Sequence, residues 1–467
     1  MVFPVVGGNE SKGYEISNSL RFNDDDSASL SFTPSGNPTD ADKFTISCWI
    51  KLGNIGVNNA KIYDTGGSDD NNRFALQFQG TNSTLMTSNN SGVSIITSQV
   101  LRDPSAWYHV VAAIDSQNST TNNKHIIYVN GVQADIGTNN LGSTSQVGAM
   151  TNGVAQYIGR NGGADNSHFD GYMTEFHFVD GQQLAPTSFG EFDDNGVWIP
   201  KKYTGTYGNN GFFMQFKQTG TSQNSSGIGA DTSGNDNHFA VSNLASTDIT
   251  EDTCTNNFAT INPLLTNDGS THSEGNLKFT TPSGPGHSGA SIAVNSGKWY
   301  AEFVCTAKTS VNFGVALVKV ANFDGDNQAN EGNNVGYFYL NDGKIYYPGG
   351  SGESYASTTT FATGDVISIA FDADNLGLKF YKNGTDLGNY TRVASENTVG
   401  ADDWIFSAGE GQGSATATFV CNFGSEGSLA GTKTAGGNSD ANGYGDFLYS
   451  VPSGYYAICT KNLAEFG

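Results

Sequence analysis

The stretch KFTISCWIKL, residues 43–52, puts Phe44, Ile46, Cys48, Ile50 and Leu52 at strictly alternating positions. A period of two is the signature of a β-strand with one face buried, and no helix keeps those five side chains on one side. WYHVVAAID at 107–115 and HIIYVN at 125–130 extend the pattern, and the second runs into Asn130-Gly131. Asn-Gly suits a two-residue type I′ turn, in which both central residues need positive φ. The other half of the chain repeats the order. DVISIAFD at 365–372 ends in Asp, a polar loop follows, and LKFYK at 378–382 leads into Asn383-Gly384. Two similar sandwiches would produce this, and so would a coincidence of common hairpin chemistry. Helical periodicity is absent, with at most a single turn near Pro186 to Phe189. The expected fold class is all-β, and two tandem antiparallel β-sandwiches would account for the repeat.

With 467 residues the chain has room for two or three domains of about 100–200 residues each. Aromatic residues at 12% can fill real cores, and 60 glycines sit where turns are needed. A net charge of −23, from 45 acidic against 22 basic residues, argues against nucleic acid and against anionic membranes. Its ordinary reading is solubility at high local density. Cys48, Cys254, Cys305, Cys421 and Cys459 are odd in number and far apart, so neither a disulfide scaffold nor a zinc site is indicated. Met1 to Gly8 lacks a basic start, and no run approaches the ~18 apolar residues of a membrane helix. Synthesis in a reducing cytoplasm is the expectation.

The expected organisation is an N-terminal arm at 1–13, a sandwich at 14–217, an irregular connector at 218–276, a sandwich at 277–424 and a C-terminal extension at 425–467 that packs back. The connector is rich in Ser, Thr, Asn and Asp, with Phe239 and Phe258 as ordered anchors. The arm carries Phe3, Pro4, Val5 and Val6 ahead of Gly7-Gly8 and reads either as a docking peptide or as a disordered terminus.

Several pieces resemble known families. NSLRFNDDDSASLSF at 18–32, FTISCWIKL, WYHVVAAID, IIYVNG, YIGR at 157–160 and FDGYMTEFHFVDGQQLAPTSFGEF at 169–192 resemble the laminin-G-like, concanavalin A-type sandwich. In the last piece Tyr172, Thr174, Phe176 and Phe178 are expected on one face, against Met173, Glu175 and His177. GKWYAEFVC at 297–305, NFGVALV at 312–318, GDVISIAFDADNLGLKFYKNG and FVCNFG at 419–424 resemble an SPRY-type sandwich in order and spacing. The tandem layout, with ANGYGDFLYSVPSGYYAICTKNL near the end, is similar to virion appendage proteins of marine tailed phages. That resemblance implies a virion surface protein, on a tail fibre, a short appendage or as a capsid decoration. Its partners would be other virion proteins, a host-surface glycan and further copies of itself, with Phe3, Val5 and Val6 as the docking side chains. A secreted-type lectin or glycan-degrading enzyme, and a purely structural capsid cement, are the alternatives.

Catalysis is not expected. Glu191-Phe192-Asp193 is the only Glu-x-Asp, and Asn195 and Gly196 stand where a third acid would follow. His109 and His177 fall within strands, where a satisfied face or core residue is the ordinary reading. No cofactor is indicated. DDNN at 69–72, with Asp69 and Asp70, and FDGDN at 323–327, with Asp324 and Asp326, are similar to calcium loops without the EF-hand spacing, and acidic turns are usually only solvated. For a glycan, Tyr337, Tyr339, Tyr346 and Tyr347 around Asp342 offer aromatic faces beside polar groups, although cross-strand packing would explain the same tyrosines.

Overall fold

The computed structural model describes residues 13–66, 73–81, 83–89, 92–143, 147–266, 269–282, 286–309, 312–323, 336–347, 354–357, 359–390, 402–412 and 416–467. They fall into two compact units, Ser11–Thr255 and Asn256–Gly467. No described helix is long and apolar enough to cross a membrane. Phe3, Val5, Val6, Asp69, Asp70, Asp324 and Asp326 lie outside the described residues.

In the N-terminal unit the front sheet runs Val132–Gln133, His125–Val129, Trp107–Asp115, Lys43–Leu52, Gly171–Asp180, Ser19–Phe22, Ile249–Thr250, with Phe212–Met214 also paired to Gly171–Asp180. The back sheet runs Ile136–Asn139, Ser94–Val100, Thr84–Ser88, Ala75–Gln79, Lys61–Thr65, Gln156–Ile158, Ser29–Phe32, Ala240–Ser242. Phe44, Ile46, Cys48 and Ile50 meet Ile62, Leu76 and Phe78 between the sheets, as the alternation requires. Asn130 and Gly131 take φ values of 47° and 79°, those of a type I′ turn.

Three expectations need correction here. Lys43–Leu52 is buried on both faces, because the outer face of the front sheet is covered by chain as well. In Gly171–Asp180 a bulge slips the register between Thr174 and His177, with Glu175 at φ 49°. One extra residue reverses the facing of all that follows, so Phe176 and Phe178 join Met173 in the core, away from Tyr172. The connector does not exist as a separate segment. Ala240–Ser242 pairs with Ser29–Phe32, Ile249–Thr250 with Ser19–Phe22, and Phe239 is fully buried in the first core. From Asn256 onward the chain belongs to the second unit, where Phe258 is buried.

The C-terminal unit has a front sheet of Ile261–Thr266, Gly286–Ala290, Trp404–Gln412, Asn312–Lys319, Gly336–Leu340, Lys344–Tyr347, Ser354–Ser357. Its back sheet runs Thr271–Ser273, Lys278–Thr280, Ala417–Asn422, Lys298–Lys308, Val366–Asp372, Gly377–Lys382, Thr385–Tyr390. Trp299, Phe303, Ile369 and Phe380 pack against Phe313, Leu317, Tyr339 and Trp404 between them. Asn383 and Gly384, at φ 49° and 76°, repeat the type I′ turn. The C-terminal segment covers the back sheet: Tyr456–Ala457 adds in parallel to Lys298–Lys308, and Phe447 and Cys459 bury beside Tyr300. Asp440 organises it, accepting from the Asn442, Tyr444 and Ala457 amides and from Asn462 Nδ2. A helix at Thr460–Phe466 closes the chain. It was not foreseen, since seven residues are too few to display a helical period.

Candidate functional site

A dense group of chemically capable side chains lies on the outer face of the N-terminal front sheet. Lys43–Leu52 contributes Ser47 and Trp49, Trp107–Asp115 contributes His109, and Gly171–Asp180 contributes Glu175 and His177. Phe189, Pro200 and Lys201 close over them, and the crevice left is too tight for a water molecule.

Ser47 Oγ lies 2.8 Å from His109 Nε2, the contact of a nucleophile with its base. The other ring nitrogen decides against that role. Trp198 Nε1 donates to His109 Nδ1 at 3.0 Å, and an indole N–H can only donate. His109 Nδ1 is therefore bare, the proton sits on Nε2, and it is given to Ser47. An imidazole already carrying a proton on that nitrogen cannot take one from the serine. Burial lowers the His109 pKa to about 3, with His177 adding to the effect. The ring is also stacked on Trp49, centroids 4.8 Å apart. His177 is held by Tyr207 Oη at 2.8 Å and stacked on Phe213 at 4.1 Å, with Glu175 Oε2 3.7 Å from its Nε2. Burial, reinforced by the Glu175 charge, pushes the Tyr14 phenol well above its ordinary value.

Glu191 and Asp193 do not form a catalytic pair. Glu191 is half exposed and pairs with Lys201 at 3.4 Å. Asp193 Oδ1 accepts the Asn195 and Val197 amides, closing the turn between Gly190–Phe192 and Trp198–Pro200.

The tyrosine platform needs correction too. Tyr337 and Tyr339 are fully buried, packed on Trp404, Phe361 and Phe380, so neither ring offers a face to a sugar. Their strand is apolar on both faces, which hides in the sequence which side is core. Asp342 accepts from the Lys344 amide at 2.9 Å and from Tyr346 Oη at 3.0 Å, the bonds of a turn. Tyr347 lies in Lys344–Tyr347, and its side chain is outside the described part.

Periodicity does not mark buried ionisable side chains, and among those of the described residues Lys51, Asp252 and Glu302 stand out. Lys51 and Asp252 form an ion pair of 2.7 Å with side chains 1% and 0% exposed, and Trp107 Nε1 donates to the same carboxylate at 3.0 Å. In the C-terminal unit Glu302 lies wholly buried on the outer face of the back sheet. It accepts from the amides of Leu448 and Tyr449, both at 2.9 Å, from Tyr300 Oη at 3.2 Å and from Asn422 Nδ2 at 3.3 Å. Burial raises its pKa to about 7, against the opposing effect of those donors. The signal was there: a lone acid inside WYAEFVC, and a lysine between Ile50 and Leu52 in KFTISCWIKL.

Residues 24–185 match the family model described as the concanavalin A-like lectin/glucanases superfamily, and residues 298–401 match that of the SPRY domain. The chain carries these two domains in tandem. Trp198, Asp252, Leu448 and Tyr449, which close the outer faces, lie beyond the matched residues. No curated protein matches the chain. Among solved structures, the SPRY domain of human HERC1 is 17% identical, over 34% of this chain and 96% of its own, at a TM-score of 0.29. A heptameric SAP-like pentraxin from Limulus polyphemus is 17% identical, over 37% of this chain and 80% of its own, at 0.28. The TRIM65 PSpry domain is 11% identical, over 35% and 91%, at 0.26.

Proposed function

We propose that this chain is a non-catalytic binding protein of a bacteriophage particle's outer surface, recognising a host-surface glycan or another virion protein. Two domains of types built for carbohydrate or protein binding support the binding half of the reading. The observation that supports the non-catalytic reading is the Trp198 to His109 hydrogen bond, which holds the Ser47–His109 contact in the tautomer that cannot activate Ser47. The particle half rests on the tandem order of the sandwiches and the ANGYGDFLYSVPSGYYAICTKNL segment. The protein would be made in the host cytoplasm and displayed on the virion.

Incubating the full chain with host envelope glycans and with β-glucans, and assaying both retention and new reducing ends, tests the binding half. Retention of one glycan without new reducing ends is expected. Turnover that Ser47→Ala or Glu191→Gln abolishes would sink it. Immunogold labelling of purified particles tests the display half, and particles that stay unlabelled while the free protein is labelled would remove it.

A further inference from the structure

Among the described residues five large apolar side chains stand exposed, and four belong to the N-terminal unit: Val132 at 61%, Ile136 at 37%, Phe192 at 52% and Val197 at 56%. All four gather along one margin. Val132–Gln133 and Ile136–Asn139 are the terminal strands of the front and back sheets, joined by two residues. The hairpin bearing Phe192 and Val197 is seated over the turn that precedes them. A Cβ on Gly131 would come within 2.3 Å of the Trp198 ring, and the Phe192 ring lies edge-on to Trp198 at 4.9 Å. Among the described residues no strand pairs with the outer side of either terminal strand.

Open sheet edges are usually defended by lysine, proline or inward-pointing charge. GVQADIGTNNLG, residues 131–142, has no lysine, arginine or proline and a single acid, in a chain of net charge −23. One bulge between Ile136 and Thr138 twists the edge without charging it. We infer that this margin is a self-association surface, on which a second copy of the chain adds its own edge strand antiparallel about a twofold axis.

The charge distribution selects the occupant. A strongly acidic chain approaches itself where its surface is nearly neutral, because elsewhere like charges meet. A twofold axis sets a strand antiparallel to itself, which is the pairing that an edge strand accepts. Val132, Phe192 and Val197 of one copy would then cover those of the other. Nearby Glu191 is paired with Lys201, and the Asp193 carboxylate is engaged in its own turn. Asp135 and Asp194 remain as the repelling acids, so salt should strengthen the contact.

Sedimentation equilibrium of the full chain up to ~100 μM, in about 0.05 and 0.5 M NaCl, tests this. A monomer–dimer equilibrium that tightens with salt is expected. The double substitution V132K/I136K should raise the dimer Kd at least ~10-fold, and F192S/V197S should do the same from the hairpin side. All four positions are exposed, so far-ultraviolet circular dichroism should stay unchanged. A monomer at every concentration and salt would overturn the inference, as would a dimer whose Kd neither double variant moves.

Discussion

Each unit has a sheet whose outer face is sealed by irregular chain, but the two seals are anchored by different chemistry. In the N-terminal unit the anchor is a closed ion pair, Lys51 with Asp252, supported by Trp107. In the C-terminal unit it is the carboxylate of Glu302, met by two backbone amides, a phenol and a carboxamide. Neutral donors can satisfy a carboxylate's hydrogen bonds without cancelling its charge. Burial then acts against the charged form, which is why the Glu302 pKa rises to about 7. The contrast makes the second seal sensitive to proton concentration through its own anchor.

The largest expected effect breaks the ion pair. Asp252→Ala removes the carboxylate paired with buried Lys51, and breaking a buried ion pair from one side typically costs ~3–5 kcal/mol. Hydrogen exchange followed by mass spectrometry should show faster exchange across residues 43–52 and 107–115, with residues 298–308 unaffected. The double variant K51M/D252L should recover part of the loss, because an apolar pair removes the charge problem while Trp107 Nε1 still loses its acceptor. If the double variant is as unstable as the single one, the pair is not what holds residues 245–255 down.

Glu302→Ala comes second. It strands the Leu448 and Tyr449 amides beneath the C-terminal segment, at ~1–3 kcal/mol for each buried donor left without a partner. Residues 444–459 should exchange faster and be cut sooner by protease, before the sheets themselves open. Unchanged protection of that segment would mean its apolar contacts, Phe447 on Tyr300 foremost, suffice without the carboxylate.

The smallest effect concerns pH, and it sharpens the contrast. Burial raises the folded Glu302 pKa to about 7, from an ordinary glutamate value of 4.5. Its contribution to stability is therefore fully present below about pH 4.5 and is lost as pH rises through about 7. His109 and His125, lowered by burial to about 3, act in the opposite sense. Their contribution is present above about pH 6.5 and is lost as pH falls toward 3. His272 and His287, lowered to about 4, do the same within the C-terminal unit. Comparing wild type with Glu302→Gln isolates the carboxylate from these histidines. Between pH 5 and 8 the wild type should lose protection of residues 444–459 relative to the variant. Parallel pH profiles for the two proteins would show that Glu302 does not titrate in that range.

What the sequence by itself determined was local and periodic. The alternation of residues 43–52 names the core face of that strand, and Asn130-Gly131 and Asn383-Gly384 name two turns by the φ angles they require. Those features need only near neighbours, and they delivered the all-β class and the tandem sandwiches. Only the tertiary structure decided which outer faces are closed. Residues 184–255 and 425–459 carry little periodicity, because chain lying across a sheet is held by single side chains arriving from far along the sequence. Asp252 finds Lys51 across 201 positions, and the Leu448 amide finds Glu302 across 146. The same cause hid the fate of the candidate sites. One residue at Glu175 reversed a strand's facing, Tyr337 and Tyr339 went to the core side of a strand apolar on both faces, and the proton of His109 was placed by a tryptophan 89 positions away.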